Sequence, residues 1–477
     1  MMQTYAEFRR SRLRGELRCR QVVEEFLQRI DRQRDLNAFI TVSAEEALQA
    51  AEESDARFDA GQPRPLEGCV VAIKDNISTA GIRTTCASRI LENFVPVYDA
   101  TAVARLKEAG AIIIGKTNLD EFAMGSSNEY SAFGPVRHPR NPAYVPGGSS
   151  GGSAVAVAAS MCHVALGSDT GGSVRQPAAF CGVLGLKPSY GRISRYGLVA
   201  FASSLDQIGI FANVLEDIAA VLDVVSGHDP HDATSLPELP TQALRELEAP
   251  IGELVIGLLP EETLRGCHPE VMASYEHCVE RLRSAGVRLV TVELPYSDVW
   301  VPTYYIVATA EASSNLARYD GIRYGFRATV PEGEDIIAAT RTAGFGAEVK
   351  RRIMVGTYVL SAGYYDAYYR KALKARRLIA EAYARAFTQV HALFLPTSPV
   401  PPFRLGERLQ DPVAMYLADL LTVSANLAGI PAMSLPAGQT SEGLPIGMQL
   451  QAPYGADVRL LQYARLCMQL WHAPREL

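Results

Sequence analysis

The chain has 477 residues, of which 48% are apolar, and a formal net charge of −6. A chain of this size and composition can bury a large core, and its slight acidity excludes the overall basic field that favours nucleic-acid binding. The longest apolar run, residues 154–167, is shorter than the roughly 20 residues that a membrane-spanning helix needs. Eight cysteines without a C-x-x-C pair are typical of a reducing compartment. We therefore expect a cytoplasmic protein with no membrane association.

Helical and strand patterns alternate along most of the chain. Residues 1–60 carry apolar side chains at helical spacing and are predicted to form amphipathic helices. The next predicted elements are a strand at 69–75, a helix at 99–110, a strand at 111–114, a helix at 153–161 and a strand at 163–169. Further predicted elements are a strand at 254–260, a helix at 269–286, a strand at 288–294, a long helical section at about 302–388 and strands at 393–396, 433–436 and 446–450. The alternation predicts an α/β fold.

Within that fold class we expect a large central, twisted sheet that is mixed but mostly parallel and covered by helices on both faces. No Pro/Gly/Ser-rich linker divides the sequence, so a single domain over 1–477 is the expectation. The two cysteine–histidine pairs at 267–278 are interpreted as opposite ends of one helix. No metal site is therefore expected.

Residues 110–117, "GAIIIGKT", match the phosphate-loop pattern G-x-x-x-x-G-K-[ST]. In a phosphate loop the middle residues form a turn whose backbone N–H groups surround the phosphates. Here they are Ala111 and three isoleucines, a composition typical of a buried strand. We interpret the match as accidental and keep nucleotide binding as a rival hypothesis.

Two loops rich in glycine and serine carry the strongest chemical signal. The first, "GGSSGGS" at 147–153, places Ser149 in a G-x-S-x-G frame, but a proline-rich loop precedes it, whereas a nucleophile elbow needs a strand there. The second, "GSDTGGSVR" at 167–175, follows a predicted strand, and its backbone N–H groups could form a nest of donors for an oxyanion. A hydroxyl nucleophile also needs a base, and Lys74, at the end of a buried strand, could serve if burial lowers its pKa.

These three features together resemble the amidase signature family. The family combines a lysine at a strand end with both glycine–serine loops, and the chain has all of them in order. The resemblance implies that Ser173 is the nucleophile, that Ser149 is a proton relay on a cis peptide bond, and that Lys74 is the base. It also implies an amidase signature core over 65–215. The implied oxyanion hole consists of Thr170, Gly171, Gly172 and Ser173.

Longer segments, among them "TNLDEFAMGSSNEY" and "SAGYYDAYY", resemble the A subunits of the tRNA-dependent amidotransferases. This resemblance implies hydrolysis of L-glutamine, B and C subunits as partners, and tRNA bound mainly by a partner. It implies no cofactor on this chain, with ATP and Mg used by the partner subunit. Whether Glu-tRNA(Gln), Asp-tRNA(Asn) or both are served stays open.

Glutamine is a zwitterion, so its pocket should offer a cation to the carboxylate and an anion to the ammonium group. By resemblance these residues are Arg352 and Asp419, with Tyr304 as a hydroxyl contact and the helical section 300–390 contributing to the pocket. The neighbours Arg351 and Tyr305 are the alternatives to Arg352 and Tyr304. A stand-alone amidase that acts on other small amides is the alternative.

Overall fold

The computed structural model describes residues 4–472. These residues contain a mixed β-sheet. Within these residues it has eleven strands: β1 (Phe39–Val42), β2 (Val70–Lys74), β3 (Ile112–Thr117), β4 (Val164–Asp169), β5 (Leu184–Lys187), β6 (Gln207–Ala212), β7 (Val255–Leu258), β8 (Arg288–Thr291), β9 (Ala392–Pro396), β10 (Ala432–Gln439) and β11 (Pro445–Gln451). Their spatial order is β1-β3-β2-β4-β6-β5-β10-β11-β9-β7-β8. Residues 1–3 and 473–477 of the predicted domain lie outside the described residues.

Helices connect the strands and cover the sheet. They are α1 (Tyr5–Leu13), α2 (Cys19–Arg32), α3 (Ala44–Asp59), α4 (Thr101–Glu108), α5 (Gly151–Ala158), α6 (Arg175–Cys181), α7 (Leu215–Val225), α8 (Ala243–Glu246), α9 (Pro269–Ser284), α10 (Trp300–Asn315), α11 (Ile336–Gly344), α12 (Ala347–Leu360), α13 (Tyr369–Ala386), α14 (Pro412–Leu417), α15 (Val423–Ala428) and α16 (Asp457–His472). Every residue of β2, β3, β4 and β6 is buried. Because successive strand residues point to opposite faces, both faces of the central sheet are covered, as predicted.

The predicted direction of the strands is wrong in one respect. The sheet is mixed, but of the ten neighbouring strand pairs in the described residues only four are parallel. The parallel pairs form two blocks, β3-β2-β4 and β9-β7-β8, and antiparallel pairs join them through β6, β5, β10 and β11. A strand that is covered on both faces is apolar along its whole length in either direction, so the apolar runs did not report the direction.

Most predicted elements are present, with shifted ends. The predicted helix at 269–286 is α9, and the long helical section divides into α10, α11, α12 and α13. The prediction missed β5 and β6, and it also missed β1, which lies within the region expected to be helical. This strand has four residues and pairs antiparallel with β3 at the edge of the sheet. So short a segment carries too little alternation to stand out from the helices around it. Among residues 4–472 no helix is both long and apolar enough to cross a bilayer.

The phosphate-loop match at 110–117 is a strand. Lys116 lies within β3, fully buried. Its ammonium group donates to the Ile77 carbonyl at 2.9 Å and to the Thr84 hydroxyl at 2.6 Å. It also lies 3.4 Å from the Asp75 carboxylate. A lysine held inside the sheet in this way is not available to a phosphate group, so the strand interpretation is confirmed.

Replacing Lys116 by methionine should therefore reduce stability without changing nucleotide affinity. The substitution leaves Asp75 buried without its cation, a loss that typically costs about 3 kcal/mol or more. We expect urea unfolding to show this decrease, and Lys107→Met to lower the free energy of unfolding by less than about 1 kcal/mol, since the Lys107–Asp99 pair is partly exposed. ATP binding that is lost specifically in the Lys116 variant would contradict the strand interpretation.

Candidate active site

Lys74 is the last residue of β2 and is fully buried. Because β2 pairs parallel with β4, its carboxyl end lies beside the carboxyl end of β4, from which residues 170–174 lead to α6. The Lys74 ammonium donates to the hydroxyls of Ser149 at 2.8 Å, Ser150 at 2.8 Å and Ser168 at 2.9 Å. Burial lowers the pKa of Lys74 to about 7, and the negative charges around it offset this effect only in part. The residue can therefore give up a proton near neutral pH.

The loop that carries Ser149 leads into α5. The peptide bond between Gly148 and Ser149 is cis, as the resemblance implies. Gly148 sits in a space that admits no side chain, because a Cβ there would lie 2.2 Å from the Asp120 carboxylate. The Asp120 N–H donates to the Ser149 carbonyl at 3.2 Å. The segment around Asp120 therefore fixes the backbone that presents the Ser149 hydroxyl to Lys74.

The loop after β4 is wrapped around a buried ion pair between Asp169 and Arg175. Their side chains are fully buried and meet at 3.0 Å. Burial alone would raise the pKa of Asp169, but the Arg175 guanidinium holds it well below its usual range. Arg175 also donates to the Thr422 carbonyl at 3.0 Å and to the Gln449 amide oxygen at 3.2 Å. The pair thus ties the start of α6 to segments far along the chain.

Of the four N–H groups predicted to form the oxyanion hole, one is already engaged in another hydrogen bond. The Gly172 N–H instead donates to the Asp169 carboxylate at 2.8 Å, which removes it from the predicted set. Gly172 has a φ of +132°, and a Cβ there would lie 2.3 Å from the Thr422 hydroxyl oxygen, so only glycine fits. Within residues 4–472 the N–H groups of Thr170, Gly171 and Ser173 make no hydrogen bond.

Ser173 lies at the end of this donor loop. Its carbonyl accepts a hydrogen bond from the Ser150 N–H at 3.2 Å, which joins the two glycine–serine loops directly. Its side of the site is the more accessible one, since Ser173 is 9% exposed whereas Lys74 and Ser149 are 0% exposed. The structure thus brings the predicted base and relay into hydrogen-bond contact and joins the Ser173 backbone to the relay loop.

The predicted pocket residues Tyr304 and Asp419 lie beside the same loop. Tyr304, on α10, packs against Gly171, where a Cβ would lie 2.5 Å from the tyrosine ring. Asp419 precedes α15 and accepts hydrogen bonds from the Ser126 hydroxyl at 2.7 Å and the Tyr305 hydroxyl at 3.3 Å. Burial raises the pKa of Asp419 to about 7.

Arg352 reaches the same region from α12. Its guanidinium lies 5.3 Å from the centre of the Tyr305 ring and 5.4 Å from that of Tyr416. Its Nε donates to Glu348 at 2.8 Å. The Arg352 side chain is 4% exposed, whereas that of the neighbouring Arg351, which also pairs with Glu348, is 41% exposed. Arg352 and Asp419 therefore both contact Tyr305, Arg352 at the face of its ring and Asp419 at its hydroxyl group.

Sequence reasoning missed several residues of this site, namely Ser168, Asp120, Ser126 and Glu348. The sequence could have indicated Ser168, because a hydroxyl group inside the apolar strand β4 needs a polar partner. The sequence indicated Glu348 more weakly: it precedes Arg352 by four residues on the same helix, a spacing that favours an ion pair. In residues 4–472 no group of three or more histidine, cysteine or acidic side chains could hold a metal ion.

The model of the Amidase family matches residues 21–461. The chain belongs to the amidase family. Among curated amidases it is 54% identical to the A subunit of the glutamyl-tRNA(Gln) amidotransferase of Synechococcus sp. (strain RCC307), over 94% of this chain and 93% of that protein. Its identity to the corresponding protein of Salinibacter ruber (strain DSM 13855 / M31) is 49%, over 98% and 99% of the two chains.

Solved amidase structures have the same fold. The A subunit of the glutamyl-tRNA(Gln) amidotransferase of Thermotoga maritima is 43% identical, with a TM-score of 0.79 over 96% of this chain and 92% of that one. The native peptide amidase of Stenotrophomonas maltophilia is 31% identical, with a TM-score of 0.83 over 99% and 97% of the two chains. The predicted fold class and the family resemblance are both confirmed.

Proposed function

We propose that this amidase is the glutamine-hydrolysing A subunit of a tRNA-dependent amidotransferase. The observation that carries the proposal is the meeting of Arg352 and Asp419 at Tyr305, beside the loop of Ser173. A cation and an anion in one buried site are suited to a small zwitterionic amide such as L-glutamine. The identity of about half the sequence to named A subunits, over nearly the full length, supports the same assignment.

The proposed reaction begins with the removal of a proton from Ser173. Neutral Lys74 takes the proton from Ser149, which takes that of Ser173, and the freed oxygen attacks the side-chain carboxamide of glutamine. The N–H groups of Thr170, Gly171 and Ser173 receive the developing oxyanion. The C–N bond then breaks, the relay returns the proton to the leaving ammonia, and water hydrolyses the acyl-enzyme to glutamate.

In the proposed complex the ammonia passes to a B subunit, and a C subunit completes the heterotrimer. The B subunit uses ATP and Mg to activate the glutamyl group of Glu-tRNA(Gln), which ammonia converts to Gln-tRNA(Gln); Asp-tRNA(Asn) is the other candidate acceptor. The tRNA is bound mainly by the partner. This chain contributes the glutaminase site, without a cofactor of its own, and works in the cytoplasm.

The pocket can be tested with two adjacent arginines. Replacing the buried Arg352 by alanine removes the cation for the glutamine carboxylate and should lower kcat/KM for glutamine by about 100-fold, the loss typical of a buried charged contact. Hydrolysis of propionamide, which has neither charge, should change less than about threefold. Arg351→Ala is the matched control and should leave kcat/KM for both substrates nearly unchanged.

A second candidate function is that of a stand-alone amidase, which the similarity to a peptide amidase favours. It predicts that the wild-type chain hydrolyses uncharged amides at least as well as glutamine and that Arg352→Ala affects both alike. Measuring both substrates with the two arginine variants separates the two functions.

A further inference from the structure

Four tyrosines cluster on the surface where α12 ends and α13 begins. Tyr358, Tyr364, Tyr365 and Tyr368 are each 40–49% exposed. The rings of Tyr358 and Tyr364 lie 4.4 Å apart, and those of Tyr364 and Tyr368 lie 5.9 Å apart. The rings of Tyr358, Tyr364 and Tyr368 thus pack against one another at the surface, and Tyr365 packs against Tyr369 beside them.

Aliphatic side chains extend this surface along α12. Met354 and Val355 precede Tyr358 by about one helical turn and are 66% and 45% exposed. We call the six residues the tyrosine patch: Met354, Val355, Tyr358, Tyr364, Tyr365 and Tyr368. Single apolar side chains are common on protein surfaces, but contiguous ones mark contact sites, and tyrosine and methionine are enriched at the centres of protein interfaces.

Positive charge borders the tyrosine patch. Of the eight lysines and arginines in residues 350–377, four arginines form ion pairs with nearby acidic side chains, so the unpaired charge beside the patch comes mainly from lysines. Lys371 and Lys374 are exposed on the first turns of α13, and within residues 4–472 neither forms an ion pair. A complementary surface would be apolar at its centre and acidic at its edge.

The side chains favour a protein over a nucleic acid as the occupant. Nucleic-acid bases stack on free aromatic faces, whereas three of the four tyrosines already pack against one another, and Met354 and Val355 offer no aromatic face. An apolar centre with a basic edge is the arrangement that a protein segment rich in apolar and acidic side chains would fit.

We propose that the tyrosine patch is the docking surface for another subunit of the amidotransferase, through a segment with apolar side chains bordered by aspartate and glutamate. This rests on the proposed function, because only a component of a larger enzyme has such a partner. The patch includes α12 beyond Arg352, so the docked segment would lie over the helix that carries the candidate glutamine ligand.

The experiment compares the full-length chain and its variants in binding to the B and C subunits from the same source. The double variant Tyr364→Ser/Tyr368→Ser should raise the Kd at least about 100-fold, since central tyrosines dominate interface energies. The double variant Lys371→Glu/Lys374→Glu should raise the Kd about tenfold at low salt and weaken its salt dependence. The control is Val97→Ser, which removes an apolar side chain that is 95% exposed elsewhere on the surface and should leave the Kd unchanged.

Glutamine hydrolysis by each isolated variant, within about twofold of wild type, shows that the site is intact. Unchanged Kd values in both double variants overturn the proposal. The proposal is also overturned if the wild-type chain is a homodimer and the tyrosine variant is a monomer. It is overturned, too, if the tyrosine variant assembles normally with its partners but the complex loses affinity for tRNA. A wild-type chain that hydrolyses glutamine but binds neither partner contradicts the proposed function itself, and this proposal with it.

Discussion

Replacing Ser173 by alanine should abolish glutamine hydrolysis while transamidation from free ammonia continues. Without the hydroxyl there is no acyl-enzyme, and loss of a nucleophile of this kind typically lowers kcat by on the order of 10⁴-fold or more. Ammonia needs no release from glutamine, so the partner's reaction should proceed at the wild-type rate. Glutamate release and amidated tRNA, measured in the assembled complex with glutamine or with ammonium chloride, test both halves of this expectation.

Ser153→Ala is the matched control, because Ser153 lies in the first turn of α5, at the end of the neighbouring glycine–serine motif, and bonds Thr117 and the Leu166 carbonyl instead of Lys74. Its effect on kcat should stay below about tenfold, since it removes one neutral hydrogen bond. If Ser173→Ala abolishes the ammonia-dependent reaction as well, the proposed division of labour between subunits is wrong. If it leaves glutamine hydrolysis intact, Ser173 is not the nucleophile.

Lys74→Met should lower kcat for glutamine hydrolysis by about 10³- to 10⁴-fold and remove the part of its pH dependence that the titration of Lys74 causes. Burial lowers the pKa of Lys74 to about 7, and only the neutral amine can take the Ser149 proton. Below that pH the lysine is protonated and cannot act as a base. The wild-type kcat should therefore rise with pH, pass half of its maximum near pH 7 and level off above it. Profiles of kcat from pH 5.5 to 9 for both proteins measure this.

Lys74→Arg separates the basicity of this residue from its charge. Arginine keeps the positive charge and can donate to serine hydroxyls, but it does not lose its proton in this pH range. We expect it to be as inactive as methionine. An arginine variant that retains most of the wild-type rate would show that a fixed cation, instead of a base, is what the site needs.

The sequence motifs predicted those site residues that lie within or next to a motif. Lys74 and Ser149 follow from a strand end and a glycine–serine loop, and the structure places them in hydrogen-bond contact. The engagement of the Gly172 N–H by Asp169 was not predictable, because a run of glycines does not reveal which amides point at a neighbouring carboxylate. The strand directions were hidden for a similar reason, since burial on both faces erases the alternation that would report them.

The pocket residues depended on family resemblance alone. Arg351 and Arg352 are adjacent and chemically identical, and only the packing of α12 against Tyr305 and Tyr416 decides which one is buried. Asp419 likewise becomes a pocket residue only because the segment before α15 folds back onto Ser126, nearly 300 positions earlier in the sequence. Contacts between residues so far apart leave no local pattern.

The contacts that Arg175 makes with Thr422 and Gln449 join the loop of Ser173 to segments that are synthesised much later. Gln449 follows Arg175 by 274 residues, so at about 5–20 residues per second the ribosome needs roughly 14–55 s to reach it. Until then Arg175, at the end of the Ser173 loop, lacks its hydrogen bond to Gln449. We therefore expect a nascent chain that has its predicted catalytic residues but not yet Gln449 to hydrolyse glutamine more slowly than one in which these contacts have formed.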